Sequence, residues 1–187
     1  MSSAPVDLLA AHAAANPDKP AVVDDRPGRA PEIWSWAELD RQANRLGNAL
    51  HGLGVRPGQT VLWCGMNSPG VVRMMHAARK AGVTSVPLNY RLTAEEAAYI
   101  VDDCDAVAVY ADAEFAPLFA QVRPHTPKVK HWLVYGGAAP ADMTDVDALI
   151  AAASDATPRV DWSDASDLTM IYTSGTTGRP KGAVRSA

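Results

Sequence analysis

Between Tyr172 and Gly182 the chain reads Tyr172-Thr173-Ser174-Gly175-Thr176-Thr177-Gly178-Arg179-Pro180-Lys181-Gly182. Four hydroxyl side chains and two glycines fall between Tyr172 and Arg179. Hydroxyls and bare backbone N–H groups are donors, and glycine lets the backbone curl so that several N–H groups converge on one anion. No acidic residue occurs from Leu168 to Ala187, whereas Arg179, Lys181 and Arg185 are cationic. Such a composition suits a loop that holds a polyphosphate. Gly/Ser/Thr tracts also make plain surface turns, so the spacing has to decide.

The P-loop pattern, G-x-x-x-x-G-K-[ST], is the first alternative. Counted from Gly175, Lys181 falls in place, but Pro180 occupies the second glycine position and Gly182 the Mg²⁺-binding hydroxyl position. The pattern therefore fails. Leu168-Thr169-Met170-Ile171-Tyr172 before the tract and Ala183-Val184 after it predict strand, hydroxyl-rich loop, strand. Taken whole, the string resembles the phosphate-loop signature of the adenylate-forming enzymes: acyl-CoA synthetases, aryl-CoA ligases, luciferases and peptide-synthetase adenylation domains.

The elements that must position this loop alternate along the chain. Val6 to Ala15 reads as a short helix stopped by Asn16-Pro17, and Ala21-Val22-Val23 as a strand turned by Pro27-Gly28-Arg29 towards Ile33-Trp34. Ser35-Trp36-Ala37-Glu38 is a capping box, with Trp34 and Leu39 placed for a hydrophobic staple. Leu39, Ala43, Leu46, Leu50 and Leu53 then form one helical stripe ended by Gly54. Thr60 to Cys64 is a continuous apolar run, as a strand buried on both faces should be. Ser68-Pro69 opens a helix through Val72, Met75 and Ala78 to Gly82, followed by a strand from Thr84 to Leu88. Thr93 to Glu96 is a second capping box, starting a helix through Ile100. Strands at Ala106–Tyr110 and Trp132–Tyr135 and helices at Glu114–Val122 and Asp145–Ala153 complete the pattern, with Ser154 to Pro158 as the linker before the motif. Strand–helix alternation predicts an α/β fold, a mostly parallel sheet flanked by helices.

The resemblance covers this region too. Trp34-Ser35-Trp36-Ala37-Glu38-Leu39 is similar to the family's early T-Y-x-E-L element. Ala78 to Val83 with Val86-Pro87-Leu88-Asn89-Tyr90-Arg91-Leu92-Thr93 is similar to its K-A-G-x-x-x-V-P-L-N element, in the form typical of fatty-acyl-CoA ligases. The resemblance implies the incomplete first subdomain of the adenylate-forming N-terminal domain, divided as helix and hairpin 1–58, βα repeats 59–153 and phosphate-loop hairpin 166–187. It also implies a carboxylic acid substrate, a fatty acid by preference, which attacks the α-phosphate of ATP, with Mg²⁺, to give an acyl-adenylate and pyrophosphate. Coenzyme A then displaces AMP to form a thioester. In that scheme Thr173, Ser174, Gly175, Thr176, Thr177 and Gly178 hold the β- and γ-phosphates, and Lys181 adds a point charge at the loop's exit or locks its closed form.

Members of the family carry their adenine loop, ribose aspartate, Mg²⁺-binding glutamate, hinge and catalytic lysine beyond this motif, so no catalytic residue is expected here. A chain of this extent is expected to be inactive alone and to self-associate through an uncovered sheet edge or face. Arg185-Ser186-Ala187 departs from the Ser/Thr-His pair that many members have, which bears on subfamily. Two other readings remain: a peptide-synthetase-type module that loads a carrier protein, and a stand-alone phosphate-binding scaffold.

Bulk properties narrow the rest. The 187 residues carry a net charge of −4, against a general nucleic-acid binder. No run of 18 apolar residues or secretion signal occurs, and Cys64 and Cys104 suit reduced thiols in a cytoplasmic protein. The five histidines lack metal-ligand spacing, and Asp102, Asp103 and Asp105 are expected to be a solvated helix end rather than a Mg²⁺ site. Mid-strand, Cys64 reads as an inert buried thiol. Neither G-x-G-x-x-G nor G-x-S-x-G is present, so dinucleotide binding and serine hydrolysis lack their motifs.

Overall fold

The computed structural model describes residues 6–162, 167–173 and 179–186. A short helix α1 (Leu8–Ala15) precedes an antiparallel hairpin of β1 (Pro20–Asp24) and β2 (Glu32–Ser35), then the long helix α2 (Trp36–Gly52). The main sheet follows as β3 (Thr60–Cys64), α3 (Pro69–Ala81), β4 (Thr84–Pro87), α4 (Ala94–Asp103), β5 (Ala106–Asp112), α5 (Ala116–Val122), β6 (His131–Tyr135), β7 (Thr144–Asp145), α6 (Val146–Ala151), β8 (Asp167–Thr173) and β9 (Lys181–Ser186). Its strand order is β7-β6-β5-β3-β4-β8-β9, and every neighbour pair is parallel except β8 with β9. This is the mostly parallel, helix-flanked α/β sheet that the alternation predicts.

Alternation of side chains along each strand divides the core between two faces. On one, Val61, Ala108, Tyr110 and Leu133 pack against Leu46 and Leu50 of α2 and Met74 and Ala78 of α3. On the other, Leu62, Val86, Val109 and Trp132 pack against Ala97, Ile100 and Val101 of α4 and Phe119 and Val122 of α5. Strands β3, β5 and β6 are largely apolar because helices cover both of their faces. The helix ends follow local chemistry. Ser68 caps α3 with its hydroxyl on the Val71 N–H, and Gly82 closes it at φ +68°, where a side chain would be strained. Thr93 and Glu96 form the full reciprocal box at α4.

Several sequence-based expectations need correction. At α2, Ser35 accepts from the Glu38 N–H, but the Glu38 carboxylate turns to Gln42 (2.7 Å) and Arg41 instead of closing the box. In α3 the inward row is Val71, Met74 and Ala78, while Met75 is half-exposed. The sequence Val71-Val72-Arg73-Met74-Met75 offers an apolar residue at two adjacent phases, and Met74 takes the buried one. The helix at 114–122 opens with a 3₁₀ turn over Ala113–Phe115, and Pro117 falls at the start of α5. β7 was not predicted at all; two residues give no periodicity. Ser154 to Pro158 is a loop, as expected, and it is pinned to α2: Asn48 Nδ2 donates to the Ser154 and Ala156 carbonyls and Pro158 is buried over Gly47.

Two buried cations join the layers. Arg73 of α3 reaches the Tyr110 hydroxyl (3.1 Å) and Asp147 of α6 (3.4 Å). Lys80 lies between Asp7, which caps α1 (2.5 Å), and Asp40 of α2 (2.7 Å).

Candidate functional site

β8 and β9 carry the two flanks of the hydroxyl-rich tract. Their register runs Met170↔Val184, Ile171↔Ala183, Tyr172↔Gly182 and Thr173↔Lys181. Of the predicted site residues, Thr173 and Lys181 are thus brought side by side at the end of the ladder. Ser174, Gly175, Thr176, Thr177 and Gly178 lie outside the described residues. Directly paired residues share a face, so Thr173 and Lys181 stand on the opposite side from Tyr172 and Gly182, both exposed to solvent. Neither Lys181 nor Arg185 has a carboxylate partner among the described residues. An uncompensated ammonium beside a hydroxyl is what an incoming phosphate needs.

The other face of the hairpin rests on α4. Tyr172 Oη donates to Asp103 Oδ2 at 2.6 Å, and its ring lies across Gly182, where an added Cβ would come 3.2 Å from Tyr172 Cζ and 2.9 Å from Met170 Sδ. Burial, then the Asp103 carboxylate, pushes the Tyr172 phenol well above its ordinary value. On the exit side, Tyr99 Oη donates to the Pro180 carbonyl at 3.3 Å, and the Arg179 guanidinium sits 5.0 Å from the Tyr99 ring centroid. Sequence reasoning missed Tyr99 and Asp103 as partners of the motif. Their i, i+4 spacing puts both on one face of α4, but nothing in it points to the motif.

The remaining candidates resolve as structural. Lys128 bridges Asp102 (3.1 Å) and Asp105 (2.8 Å), and Asp103 accepts from Tyr172, so each carboxylate of the cluster has a protein partner. Among the described residues no group of three His, Cys, Asp or Glu could hold a metal. His12 stacks on Trp36, and His51 Nε2 meets the Ala81 carbonyl at 3.0 Å. Cys64 and Cys104 are free and buried, and burial pushes both thiols up to about 12, out of reach as nucleophiles. A polar cleft of about 240 Å³ opens at the carboxyl ends of β3, β5 and β6, lined by Ser68, Gly70, Arg73, Asp112 and Tyr135 among others. Its acids and guanidiniums largely compensate one another: Arg29 with Asp24, Arg73 with Asp147. Among the described residues no helix is long and apolar enough to cross a membrane.

Comparison with known proteins adds an independent line. The model of the AMP-binding enzyme family matches residues 9–187. The chain is 35% identical over 159 residues to the 3-oxocholest-4-en-26-oate–CoA ligase of Rhodococcus rhodochrous, covering 80% of the chain and 28% of that ligase. It is 32% identical over 180 residues to the fatty acid–[acyl-carrier-protein] ligase ScoC of Streptomyces coeruleorubidus, covering 96% of the chain and 32% of that protein. Among solved structures, the anthranilate CoA ligase AuaEII in complex with anthranoyl-AMP superimposes with a TM-score of 0.85 at 28% identity, over 96% of the chain and 34% of that ligase. The chain spans about a third of the length of the curated relatives it matches.

Proposed function

Because the chain belongs to the AMP-binding enzyme family, we propose that it forms part of an ATP-dependent acid–thiol ligase, acting by way of an acyl-adenylate. A carboxylic acid, a fatty acid by preference, attacks the α-phosphate of ATP and pyrophosphate leaves. Coenzyme A then takes the acyl group as a thioester and AMP departs. Within this scheme Thr173, Ser174, Gly175, Thr176, Thr177 and Gly178 hold the β- and γ-phosphates, and Lys181 places its ammonium beside them. Hydroxyl and N–H donors offset the charge that grows on the departing pyrophosphate, which is electrostatic stabilisation rather than proton transfer. Mg²⁺ enters on the triphosphate, the described residues offering no cluster of their own for it. The setting is cytoplasmic, in keeping with the free buried thiols. One observation carries the reading: Thr173 and Lys181 are registered partners at the end of a ladder with no acidic residue from Leu168 to Ala187.

A carrier-protein acceptor is the second reading, favoured by the relative that loads fatty acids onto an acyl-carrier-protein. Pro87-Leu88-Asn89-Tyr90-Arg91 favours coenzyme A. By this proposal the 187-residue chain has no ligase activity alone. It associates with a second copy through the outer edge of β9 and the half-exposed Ile171 and Val184. Light scattering behind size exclusion tests this directly: a monomer at high concentration overturns it. The site itself is tested by isothermal titration of Mg-ATP into the chain, with Lys181→Ala expected to weaken binding roughly tenfold, the scale of one lost charge-assisted bond. Equal affinity in the variant removes Lys181 from the site.

A further inference from the structure

The contacts between α4 and the hairpin have a geometry that burial alone does not require. Tyr99 and Asp103 are one turn apart on a single face of α4. One touches the strand that enters the tract and the other the backbone that leaves it. Asp103 takes the Tyr172 hydroxyl at 2.6 Å, and Tyr99 donates to the Pro180 carbonyl while its ring underlies Arg179. Both bonds are long-range in sequence, spanning 69 and 81 positions. The Tyr172 ring reaches Asp103 only by crossing Gly182, whose missing Cβ leaves the space. A large ring laid over a cross-strand glycine also fills the gap that the glycine leaves in the sheet.

We propose that Tyr99 and Asp103 are positioning residues for the phosphate site, holding the two flanks of the hairpin from one side so that Thr173 and Lys181 face the nucleotide together on the other. This rests on the phosphate-binding reading of Thr173 and Lys181 given above. The argument is one of side-chain alternation. Fixing Tyr172 and Gly182 against α4 dictates where their neighbours Thr173 and Lys181 point. Met170 and Tyr172 pack against the core on the inner face, the bonds to α4 fix the two flanks there, and Thr173, Lys181 and the 50% exposed Ile171 are left on the outer face. β8 meets β4 at a single registered pair, Ser85↔Thr169, four residues before Thr173. Between that pair and the end of the ladder, the packing of Met170 and Tyr172 and the side-chain bonds to α4 hold the strands to the body of the domain.

The test uses the 187-residue chain and two readouts. In amide hydrogen exchange without ligand, Tyr99→Phe and Asp103→Ala should each speed exchange at Gly182 to Val184 about tenfold, the amides of β3 and β5 keeping their rates. Asp103→Asn, which keeps an acceptor for Tyr172, should stay within about threefold of the parent. Unchanged hairpin rates, or acceleration across the whole sheet, overturn the proposal. In Mg-ATP titration, Asp103→Ala should weaken binding about tenfold in the parent and clearly less when added to Lys181→Ala, because part of its effect runs through the lysine's position. Additive losses overturn it. A parent chain that takes no Mg-ATP counts against the phosphate reading alone, and the positioning role is then decided by the exchange rates.

Discussion

The strands β3, β5 and β6 and the hairpin β8–β9 belong to one sheet but are built on different principles. In the first group almost every residue is buried, helices cover both faces, and Tyr110, Leu62 and Leu133 are sealed from water. Ile171 and Val184 of the hairpin remain 50% and 52% exposed, and side-chain bonds from α4 hold its inner face. The difference separates two tasks. The central strands supply stability through apolar area, about 25 cal/mol for each Å² removed from water. The hairpin contributes little area and presents charged and hydroxyl groups in fixed directions.

If that division is right, the same truncation should have unequal costs in the two regions. Leu46→Ala empties a fully buried site beneath the sheet and should destabilise by about 3–4 kcal/mol in urea unfolding. Ile171→Ala, on a half-exposed site, should cost about 0.5 kcal/mol or less. Comparable losses would mean that the hairpin belongs to the cooperative core, and the comparison would collapse.

Glycine-to-alanine changes sharpen the contrast at smaller amplitude. A Cβ on Gly70, in the first turn of α3, would come within 2.4 Å of the Tyr135 ring. That ring is stacked on Tyr110 with centroids 4.5 Å apart, so displacing it breaks the stack. Gly70→Ala should cost about 2–3 kcal/mol. At Gly182 the nearest atom is the Met170 sulfur, 2.9 Å away on a flexible thioether that can swing aside. Gly182→Ala should cost about 1 kcal/mol, with its larger effect on hairpin exchange rates. Reversed costs in unfolding would show that the hairpin is the more tightly packed of the two.

How far the sequence could be read follows the same line. The apolar runs at 60–64, 106–110 and 132–135 marked the central strands, and caps such as Ser68 and Gly82 marked helix ends, because these signals are local. The flanking strands of the motif were equally visible. Buried charges were not. Arg73 and Lys80 lie on a helix that reads as amphipathic, and the groups that make them buriable, Asp147 and Asp7, are 74 and 73 positions away. Tyr99 was missed for the same reason, and Asp103 was read as part of a solvated helix end rather than as the acceptor of Tyr172. Their spacing on α4 is ordinary, and only the fold brings the motif onto them. The hydroxyl-rich tract was recognisable as chemistry, whereas the residues that orient its flanks become visible only in three dimensions.

The smallest expected effect is a pH dependence that belongs to the packed body and not to the hairpin. Burial and the nearby Lys80 hold the imidazolium form of His76 below its ordinary value, opposed by Asp7 and Asp40 and reinforced by Arg79. Burial alone would raise Asp7, but its bonds to Lys80 and the Ala10 N–H bring the carboxyl below the usual range. For His76 the folded chain takes its proton at lower pH than the unfolded chain, whose imidazole titrates near ~6.5. Acidification from about pH 7.5 to 5.5 should therefore lower the urea midpoint, and His76→Gln should flatten that slope. Asp7 acts in a lower window. Its stabilisation is complete above about pH 4 and is lost as the pH falls through the depressed folded value. Asp7→Asn should therefore remove the acid limb, lower stability at neutral pH by leaving Lys80 with Asp40 alone, and steepen the His76 slope that Asp7 opposes. Ile171→Ala should leave both windows as they are. A slope between pH 5.5 and 7.5 that survives His76→Gln but disappears with the hairpin variant would place the titration on the wrong side of the molecule, and with it the boundary between packing and presentation drawn here.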